Sequence, residues 1–391
     1  MANMDKINEV LTRGVENIYP NKQALEKVLR SGKKIRLYQG FDPTMPNLHL
    51  GHCVGLLKLR QFQDLGHEVI FLVGDFTAMI GDPTDKTAAR KQLTRQQVLR
   101  NCRSWKIQAG KILRFSGKNP AKILFNSQWL AKLSFAELLN LAHHLTYQQT
   151  IKRNMFRDRL KQDKDIYLHE FLYPLMQAYD SVYMNVDLEI GGSDQMFNML
   201  VGRDLMRKIK NKEKFVLTTK LLVDKEGNKV GKTAGNALFL NASPTDLYGG
   251  IMSFPDEVII LAFELLTLVP LQLNKVNPME LKKKLAFEIV KIHHSEKEAL
   301  AAQKTFEQTF QQKQAPTNIP VFQTNKKRLK LADLLIESGM VPSKSEAKRL
   351  ILQGAVEIGD STATDAQAIL ELKQGLIIRV GKRKFVRINL K

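Results

Sequence analysis

The chain has 391 residues, of which 43% are hydrophobic and 25% charged. This length exceeds one ordinary compact domain and suits two or three, with ample apolar material for a core. Sixty lysines and arginines stand against 39 aspartates and glutamates, a formal charge of +21. A surplus of this size predicts a polyanionic partner, with nucleic acid first, although a chain that is simply basic stays an alternative.

Several classes of protein are disfavoured by the same composition. The two cysteines, Cys53 and Cys102, are too few for a disulfide framework or a four-ligand zinc site. The first 15 residues contain no apolar run of the length that a signal peptide needs. No segment approaches the roughly 20 apolar residues of a membrane span. We therefore expect a cytoplasmic protein without a membrane partner and without a protein-bound metal.

The pattern along the first half of the chain alternates between helices and strands. Residues 1–32 are predicted to be helical and mostly solvated, and longer helical patterns occupy 95–115 and 134–160. Short apolar runs between the helices predict strands, and their alternation with helices indicates an α/β fold with a parallel sheet covered on both faces. The four predicted strands are 35–38, 69–73, 122–125 and 186–190.

Small and polar residues follow every predicted strand. The carboxyl ends of parallel strands lie at one edge of a sheet, where helix N-termini and loop amides converge on ligands. Glycine and aspartate also form ordinary turns, so a single cluster would mean little, but four clusters favour a site. The clusters are 40–44, 74–76, 126–128 and 191–195.

The second half of the chain changes character twice. From about 245 to 310 the pattern is all-helical. The segment 311–325, which contains Pro316 and Pro320, is polar and reads as a linker. Residues 326–391 hold 14 lysines and arginines against 7 aspartates and glutamates, a net charge of +7. The positive charge is therefore enriched in a small C-terminal module.

His49, Gly51 and His52 lie where the turn after the first strand enters a helix, at about His49 or Leu50. The two histidines are three residues apart and share one face of the first helical turn. Gly51 removes a side chain, so a flat ring can lie against the backbone. Two imidazole donors at the positive end of a helix suit a phosphate that gains charge during a reaction. Metal binding or a solvated helix start is the alternative, but no third metal ligand lies nearby.

A second group of candidate phosphate ligands is the segment 229–233, Lys-Val-Gly-Lys-Thr. Two lysines that flank a glycine, on a loop with Gly227 and Gly235, suit a mobile clamp on pyrophosphate. The segment nearly matches a P-loop, but that motif needs glycine where this chain has Glu226, and a helix where it has Ala234-Gly235-Asn236. No G-x-G-x-x-G follows a strand, so the dinucleotide fingerprint is also missing.

With these two segments the chain resembles the class I aminoacyl-tRNA synthetases. His49-Leu50-Gly51-His52 is similar to the first signature of that class, and 229–233 is similar to the second. Gly-Lys-Thr in place of Ser-Lys-Ser is a variant familiar in the tyrosyl branch. Each motif alone is a weak signal, but their order, spacing and strand context make a strong one.

A polar stripe follows in the otherwise apolar segment 169–180. Tyr173, Gln177 and Asp180 fall at i, i+4 and i+7, on one face of a helix. Pro174 suits the first turn of this helix, where no amide hydrogen bond is lost. From the pattern alone, the stripe faces either solvent or a binding site. Resemblance to the tyrosyl-tRNA synthetases favours the binding site.

That resemblance implies a pocket for L-tyrosine. In the tyrosyl family an aspartate and a tyrosine recognise the phenol hydroxyl, and a tyrosine, a glutamine and an aspartate hold the amino group. Tryptophanyl enzymes share the fold but lack the matching pair. The implied tyrosine-binding residues are Tyr38 and Asp180 at the phenol, Asp82, Tyr173, Gln177 and Gln195 at the ammonium, and Asn126.

The resemblance also implies ATP as a substrate, accompanied by Mg²⁺. Catalysis would come from positioning and charge stabilisation, without a nucleophilic side chain. The implied catalytic residues are Thr44, His49, His52, Lys86, Arg90, Lys229, Lys232 and Thr233, and the implied ATP-binding residues are Gly40, Asp42, Gly51, Gly192, Asp194 and Lys232. For Lys86 and Arg90 a solvated loop is the alternative.

The C-terminal module resembles an S4-type RNA-binding domain. The matching segments include 345–351 (Ser-Glu-Ala-Lys-Arg-Leu-Ile) and a basic hairpin pattern around Gly381. Basic residues on two short helices can line phosphates, although a generic basic β-tail is the alternative. The implied RNA-binding residues are Arg328, Lys344, Lys348, Arg349, Lys382, Arg383 and Lys384.

Together these resemblances imply the activity of a tyrosine–tRNA ligase, with tRNA(Tyr), L-tyrosine and ATP as partners. We expect a Rossmann-like catalytic domain (1–235), an all-helical tRNA-binding domain (236–312), a linker (313–327) and a small α+β S4-like domain (328–391). A homodimer is expected from the resemblance, with 134–160 as a candidate interface. The rival hypotheses are an RNA-binding protein that has lost catalysis, a P-loop NTPase and an enzyme specific for tryptophan.

Overall fold

The computed structural model describes residues 2–84, 92–230, 237–270, 277–311, 319–359, 361–381 and 384–390. The chain divides into two compact units, residues 1–299 and 300–391. Across the described ranges, every helix is too short or too polar to cross a membrane.

A six-stranded sheet forms the centre of the first unit. Its strands stand in the order β1-β6-β5-β2-β3-β4. Strands β2 to β6 are parallel, and β1 runs antiparallel along β6 at one edge. The bounds are β1 Val15–Tyr19, β2 Arg36–Phe41, β3 Glu68–Val73, β4 Lys122–Phe125, β5 Leu188–Gly192 and β6 Phe215–Thr219. The predicted parallel sheet is confirmed, and its inner strands are buried on both faces, as such sheets require.

The strand order reverses between β2 and β5. From β2 the chain builds outward to β3 and β4, then returns to place β5 and β6 on the other side of β2. The two strands are paired in register at Leu37 with Leu188 and at Tyr38 with Glu189. Loops leave the sheet in opposite directions at such a point, and the crevice outside the carboxyl ends of the strands is where open α/β sheets bind ligands.

Helices cover this sheet, and several are shorter than the sequence pattern indicated. The predicted helical stretches 95–115 and 134–160 are each divided into shorter helices. Thr94 and Ser134 form capping boxes at the start of the two stretches, and Thr146 forms a third that starts a new helix inside the second stretch. The helices of the first unit are α1 Ala2–Val10, α2 Lys22–Arg30, α3 Leu50–Asp64, α4 Thr77–Ile80, α5 Arg95–Cys102, α6 Trp105–Ala109, α7 Ser127–Leu130, α8 Phe135–Ala142, α9 Tyr147–Ile151, α10 Asn154–Lys161, α11 Leu168–Met184, α12 Met196–Lys210, α13 Pro244–Met252, α14 Ile259–Leu266 and α15 Pro278–His293, followed by α16 Glu296–Phe306 at the boundary between the units.

The N-terminal prediction was wrong in one element. Residues 1–32 are not helical throughout, because strand β1 lies between α1 and α2. Gly14, with φ +64°, allows the chain to turn into β1, which pairs with the edge of β6. The segment is also less solvated than predicted, since Val10, Leu11 and Leu25 are almost completely buried. A five-residue edge strand gains its stability from the neighbouring strand, which local periodicity does not reveal.

Arg13 and Lys58 tie the N-terminal segment to the helices around it. The guanidinium of Arg13 donates to the carbonyl oxygens of Phe263, Glu264 and Val269, beyond and within α14. Lys58, buried in α3, donates to the carbonyl oxygens of Val10 at 2.9 Å and Arg13 at 2.7 Å. Two buried cations therefore satisfy carbonyl groups that helix ends leave without partners.

The second unit is a small α+β module. Its elements are β7 Val321–Thr324, β8 Arg328–Lys330, α17 Leu331–Glu337, α18 Lys344–Leu352, β9 Val356–Ile358, β10 Ser361–Thr362, β11 Ile369–Glu371, β12 Ile377–Val380 and β13 Lys384–Leu390. Five strands form one sheet in the order β10-β9-β12-β13-β7, and β11 pairs with β8. Leu334, Leu335 and Ile351 of the helices pack on Val356 and Ile378 of the sheet. The predicted hairpin around Gly381 is confirmed, with β12 and β13 antiparallel and Gly381 at φ +60°.

The predicted linker, 313–327, contains a strand. Residues 321–324 form β7, which runs parallel to β13 with Val321 opposite Arg387. The two prolines and the polar composition concealed this strand, because its partner is more than 60 residues away in sequence. Interpretation of 321–324 as linker was therefore wrong, and these residues belong to the sheet of the second unit.

The buried amine of Lys58 makes stability depend on pH. Burial, together with the positive charge of Arg13, lowers the pKa of Lys58 from 10.5 to about 7. Between these two pH values the unfolded chain binds a proton that the folded chain has released, so the free energy of unfolding rises with pH by up to about 1.4 kcal/mol per pH unit. Below pH 7 both states are protonated and this dependence disappears.

We expect Lys58→Met to remove that rise. In urea denaturation between pH 6 and 10, the free energy of unfolding of the wild type minus that of the variant should be flat below pH 7 and increase above it. Lys106→Met, at an exposed position of α6, is the control and should run parallel to the wild type. A constant difference between wild type and Lys58→Met at all pH values would contradict the assignment.

Candidate active site

A cavity opens at the carboxyl ends of the parallel strands, at the point where the strand order reverses. Its wall includes residues from the end of every parallel strand together with α3 and α11. The sequence clusters after β2, β3, β4 and β5 all contribute residues to it, as predicted. The contributing residues include Tyr38, Gly40, Asp42, Thr44, Gly74, Asn126, Gly192, Asp194 and Gln195.

Tyr38 and Asp180 form the buried floor of the cavity. Tyr38 has no exposed surface, and its hydroxyl lies 2.8 Å from Ser181 Oγ. Asp180 is 3% exposed and accepts hydrogen bonds from Trp129 Nε1 at 2.8 Å and Asn126 Nδ2 at 3.2 Å. The structure thus places both side chains of the predicted pair in one cavity, and neither points into bulk water.

Burial controls the ionisation of this pair. Burial raises the pKa of Asp180 well above its usual range, while the hydrogen bonds from Trp129 and Asn126 act in the opposite direction. Burial also raises the pKa of Tyr38 well above 10, and the negative charges of Glu189 and Asp180 add to that effect. Tyr38 therefore stays a neutral hydroxyl that can donate and accept a hydrogen bond.

Helix α11 supplies one wall of the cavity. Tyr173, Gln177 and Asp180 line it together, which confirms that they share one helix face. Tyr173 donates to Asp42 Oδ2 at 2.8 Å, and Gln177 Nε2 donates to Glu189 Oε1 at 3.0 Å. The helix begins at Leu168, so Pro174 lies inside it and not in its first turn as predicted.

Asp82, Gln195 and Asn126 complete the polar lining near α11. Gln195 Nε2 donates to Asp82 Oδ2 at 2.7 Å, and Asp82 Oδ1 accepts from the backbone and hydroxyl of Thr84. The structure therefore joins Asp82 and Gln195, which are 113 residues apart. Asn126 is fully buried and donates to Asp180 and to Thr77 Oγ1, so its contact with a ligand would run through Asp180.

The two histidines cap the helix that they open. His49 is the N-cap of α3, and its Nδ1 accepts from the backbone of Gly51 at 3.1 Å. His52 Nδ1 accepts from the backbone of His49 at 3.1 Å, and the two rings stack with centroids 3.8 Å apart. Because each Nδ1 accepts, the proton of each neutral ring is on Nε2. The predicted start of the helix and the shared face of the two rings are confirmed.

The chain that follows the 229–233 segment lies beside this helix start. The backbone of Leu50 donates to Leu238 at 3.0 Å, and that of Leu240 to Leu48 at 2.8 Å. Lys229 Nζ lies 2.7 Å from Asp194 Oδ2, and both residues line the cavity. The fold therefore brings Lys229 and Val230, the described residues of this segment, to the cavity that His49 and His52 also line. Lys86, Arg90, Lys232 and Thr233 lie outside the described residues.

Two charged residues that were not predicted from the sequence lie at the base of the cavity. Glu189 lines it and forms an ion pair with Lys214, and both side chains are almost completely buried. Ser181 hydrogen-bonds to both of them. A glutamate between Leu188 and Ile190 was a possible signal, because a charge inside an apolar strand needs a buried partner. Nothing in the local sequence identified Lys214 as that partner.

The predicted RNA-binding residues lie on the second unit. Lys344, Lys348 and Arg349 are exposed on α18, Arg328 begins β8, and Lys384 begins β13. Lys344 pairs with Asp333 and Arg349 with Glu346, and such exposed pairs contribute little free energy. These cations are therefore available to phosphates at low cost. Lys382 and Arg383 lie outside the described residues.

Comparison with known proteins identifies the class. The family of class I tRNA synthetases (W and Y) matches residues 30–311, which contain the whole cavity. The SYY-like C-terminal domain of tyrosine–tRNA ligases matches residues 311–388. The chain therefore belongs to the class I aminoacyl-tRNA synthetases.

Comparison with individual relatives identifies the branch of this class to which the chain belongs. The tyrosine–tRNA ligase of Moorella thermoacetica is 41% identical over 97% of this chain and 95% of its own length, and that of Aquifex aeolicus is 42% identical over 97% of each chain. The crystal structure of a C-terminally truncated mitochondrial tyrosyl-tRNA synthetase from Aspergillus nidulans has the same fold, with a TM-score of 0.67 at 23% identity, covering 78% of this chain and 94% of that one. Within its class, the chain is a member of the tyrosine–tRNA ligases.

Gly74 provides a test of how tightly the cavity wall is packed. Asp42 accepts from Thr77 Oγ1 on one side and from Tyr173 on the other, and a Cβ at Gly74 would overlap both Asp42 Oδ1 and Thr77 Oγ1. We expect Gly74→Ala to displace the Asp42 carboxylate, lower the free energy of unfolding by about 1–3 kcal/mol and reduce tyrosine-dependent ATP–pyrophosphate exchange.

Gly249→Ala is the matched control, because a Cβ there meets no atom within 4 Å and the residue lies inside α13. It should leave exchange unchanged and raise the free energy of unfolding by about 0.5–1 kcal/mol. Equal stability and equal exchange in both variants would show that the Asp42 carboxylate is not held as described.

Proposed function

We propose that the cavity forms tyrosyl-adenylate from L-tyrosine and ATP, and that the enzyme then transfers the tyrosyl group to the 3′ end of tRNA(Tyr). The observation that carries this proposal is the buried floor made by Tyr38 and Asp180 at the reversal point of the sheet. Two hydrogen-bonding side chains without solvent contact favour a ligand that brings a hydroxyl. A phenylalanine side chain would offer neither group a hydrogen-bond partner.

The amino group of tyrosine would lie along α11. Asp82, Tyr173, Gln177 and Gln195 surround that part of the cavity with carboxylate, hydroxyl and amide oxygens, which suit an ammonium. Tyr173 is hydrogen-bonded to Asp42, and Gln195 to Asp82. The ammonium would enter this existing network, with Asn126 acting through Asp180.

ATP would occupy the other side of the cavity, from Gly40 to α3. Gly40, Gly51 and Gly192 keep side chains away from the nucleotide, and Asp42 and Thr44 line its path. His49 and His52 would donate from Nε2 to the phosphates. Asp194 would accept the ribose hydroxyls and Lys229 would bind pyrophosphate, so the present ion pair between them opens when MgATP binds. Lys86, Arg90, Lys232 and Thr233 are proposed on sequence grounds to add to the phosphate clamp.

The first step of the reaction requires no nucleophile from the protein. A carboxylate oxygen of tyrosine attacks the α-phosphorus of MgATP, a new O–P bond forms, and the bond to the β-phosphate oxygen breaks to release pyrophosphate. In the second step a hydroxyl of the terminal ribose of the tRNA attacks the carbonyl carbon, and AMP leaves. The side chains act by orientation and by stabilising charge that moves onto phosphate oxygens.

The tRNA would be bound with the help of the second unit, which we propose acts as an S4-like RNA-binding module. Its charge of +7 over residues 326–391 and the exposed cations Arg328, Lys344, Lys348, Arg349 and Lys384 support phosphate binding. The helical region within 236–312 would face the anticodon side of the tRNA. Lys382 and Arg383 would extend the cationic surface.

We also propose a homodimer through the first unit. The region 134–160 exposes large apolar side chains, with Phe135 75%, Leu139 55%, Tyr147 60% and Leu160 55% exposed. Apolar surface of this extent supports a protein interface. The cytoplasmic location expected from the sequence stays a prediction.

Tyr38→Phe tests the proposed substrate. When the twenty amino acids are compared, tyrosine should be the one that supports exchange of pyrophosphate into ATP. In the variant, kcat/KM for tyrosine relative to phenylalanine should fall by about tenfold, because one hydrogen bond to the substrate hydroxyl is lost. Tyr248→Phe, at a fully buried tyrosine of α13, is the control. An unchanged ratio in Tyr38→Phe would exclude the proposed phenol site.

Removal of residues 312–391 tests the role of the second unit. The cut precedes β7, because a cut after it would leave one strand of the C-terminal sheet behind. We expect tyrosine-dependent exchange to continue near the wild-type rate, and aminoacylation of tRNA to fall sharply. Charging at the wild-type rate by the truncated chain would refute the proposed RNA-binding role.

A further inference from the structure

Glu189, which lines the cavity, and Lys214 form a buried ion pair beside the proposed tyrosine pocket. Glu189 on β5 is paired in register with Tyr38 on β2, and register-paired residues of adjacent strands point to the same face of the sheet. Lys214 immediately precedes β6. Buried ion pairs gain little stability over apolar residues of similar size, so stability alone is a weak reason for this one.

The amine of Lys214 occupies space that is open because residue 202 is a glycine. A Cβ at Gly202 of α12 would lie 2.6 Å from Lys214 Nζ and 3.3 Å from Ser181 Oγ. Lys214 Nζ donates to Ser181 Oγ at 3.0 Å and to Glu189 Oε2. The amine is therefore held between a hydroxyl and a carboxylate, in a gap that any larger residue at 202 would close.

The Glu189 carboxylate also orients the side chain of Gln177. Glu189 Oε1 accepts from Gln177 Nε2 at 3.0 Å. An ionised carboxylate has no proton to donate, so the amide nitrogen of Gln177, and not its oxygen, has to face Glu189. Gln177 Oε1 is buried and has no hydrogen-bond partner within the described part of the chain, although Gln177 lines the cavity. A buried oxygen without a partner costs free energy and favours a ligand that donates.

We propose that Glu189 is a positioning residue that fixes the carboxamide of Gln177 with its oxygen as the acceptor for the substrate ammonium, and that Lys214 keeps Glu189 an obligate acceptor. The inference rests on the proposed binding of tyrosine and adds a residue pair that acts through Gln177. Its consequence is specific: loss of the pair weakens recognition of the amino group, which Gln177 contacts directly, far more than recognition of the phenol, which the pair reaches only through Ser181 and Tyr38.

The test uses the double variant Glu189→Gln with Lys214→Met in the full-length enzyme. The single variant Glu189→Gln leaves a buried ammonium without its counter-ion and is expected to be unstable. The double variant removes both charges at nearly constant volume. A glutamine at 189 can donate as well as accept, so the carboxamide of Gln177 is free to rotate and present either atom to the cavity.

Binding is measured with three ligands that differ in one group each: L-tyrosine, tyramine, which lacks the carboxylate, and 3-(4-hydroxyphenyl)propionate, which lacks the amino group. The double variant should raise Kd for L-tyrosine and for tyramine by about 10- to 100-fold, the range of a hydrogen bond to a charged group. Kd for the ligand without an amino group should stay close to the wild-type value.

Glu170→Gln with Arg159→Met is the matched control. This pair is equally buried, with side chains 4% and 1% exposed, but neither residue lines the cavity within the described chain. This double variant should lower the free energy of unfolding without a selective rise in Kd for L-tyrosine and tyramine. If the Glu189 and Lys214 variant weakens all three ligands equally, or none, the positioning role is wrong. If the wild type binds none of them, the proposed tyrosine site itself fails.

Discussion

A carboxylate almost without solvent contact is the constraint around which the site is arranged. Burial makes the charge of Asp180 costly unless donors satisfy it, and those donors come from two other elements, Trp129 of α7 and Asn126 at the end of β4. These three elements have to meet at one point. The meeting fixes the rotation of α11, and that rotation turns Tyr173 and Gln177 toward the cavity. Satisfying one buried group thus orients a whole recognition face.

At His49, where α3 starts, a structural contact and a proposed ligand contact come from the same side chain. The histidine pair was predicted to supply donors for phosphate, and the structure adds that the same rings complete the helix by accepting backbone N–H groups. This use of Nδ1 fixes the tautomer and leaves the proton on Nε2. The helix cap and the proposed phosphate donor are therefore the same side chain, so the local backbone determines the orientation of that donor.

Much of the fold and part of the site could be predicted from the sequence, because their causes are local. Strand ends marked by small polar residues and a polar stripe at helical spacing both depend on short-range periodicity. Strands β1 and β7 were missed because their partners, β6 and β13, are distant in the chain. The pair Glu189 and Lys214 was missed for the same reason, since neither residue alone shows that the other is buried beside it. The contact between Asp82 and Gln195 was anticipated only through family resemblance.

The gap at Gly202 has a consequence for how this chain can diverge. A methyl group at 202 and the amine of Lys214 compete for the same space, so a mutation at either position changes which residues the other can tolerate. Alanine at 202 requires the amine of Lys214 to shift or its side chain to shorten, and either change weakens the contact of Lys214 with Glu189. Positions 189, 202 and 214 should therefore vary together among relatives, as a linked triplet whose members lie on β5, on α12 and at the start of β6.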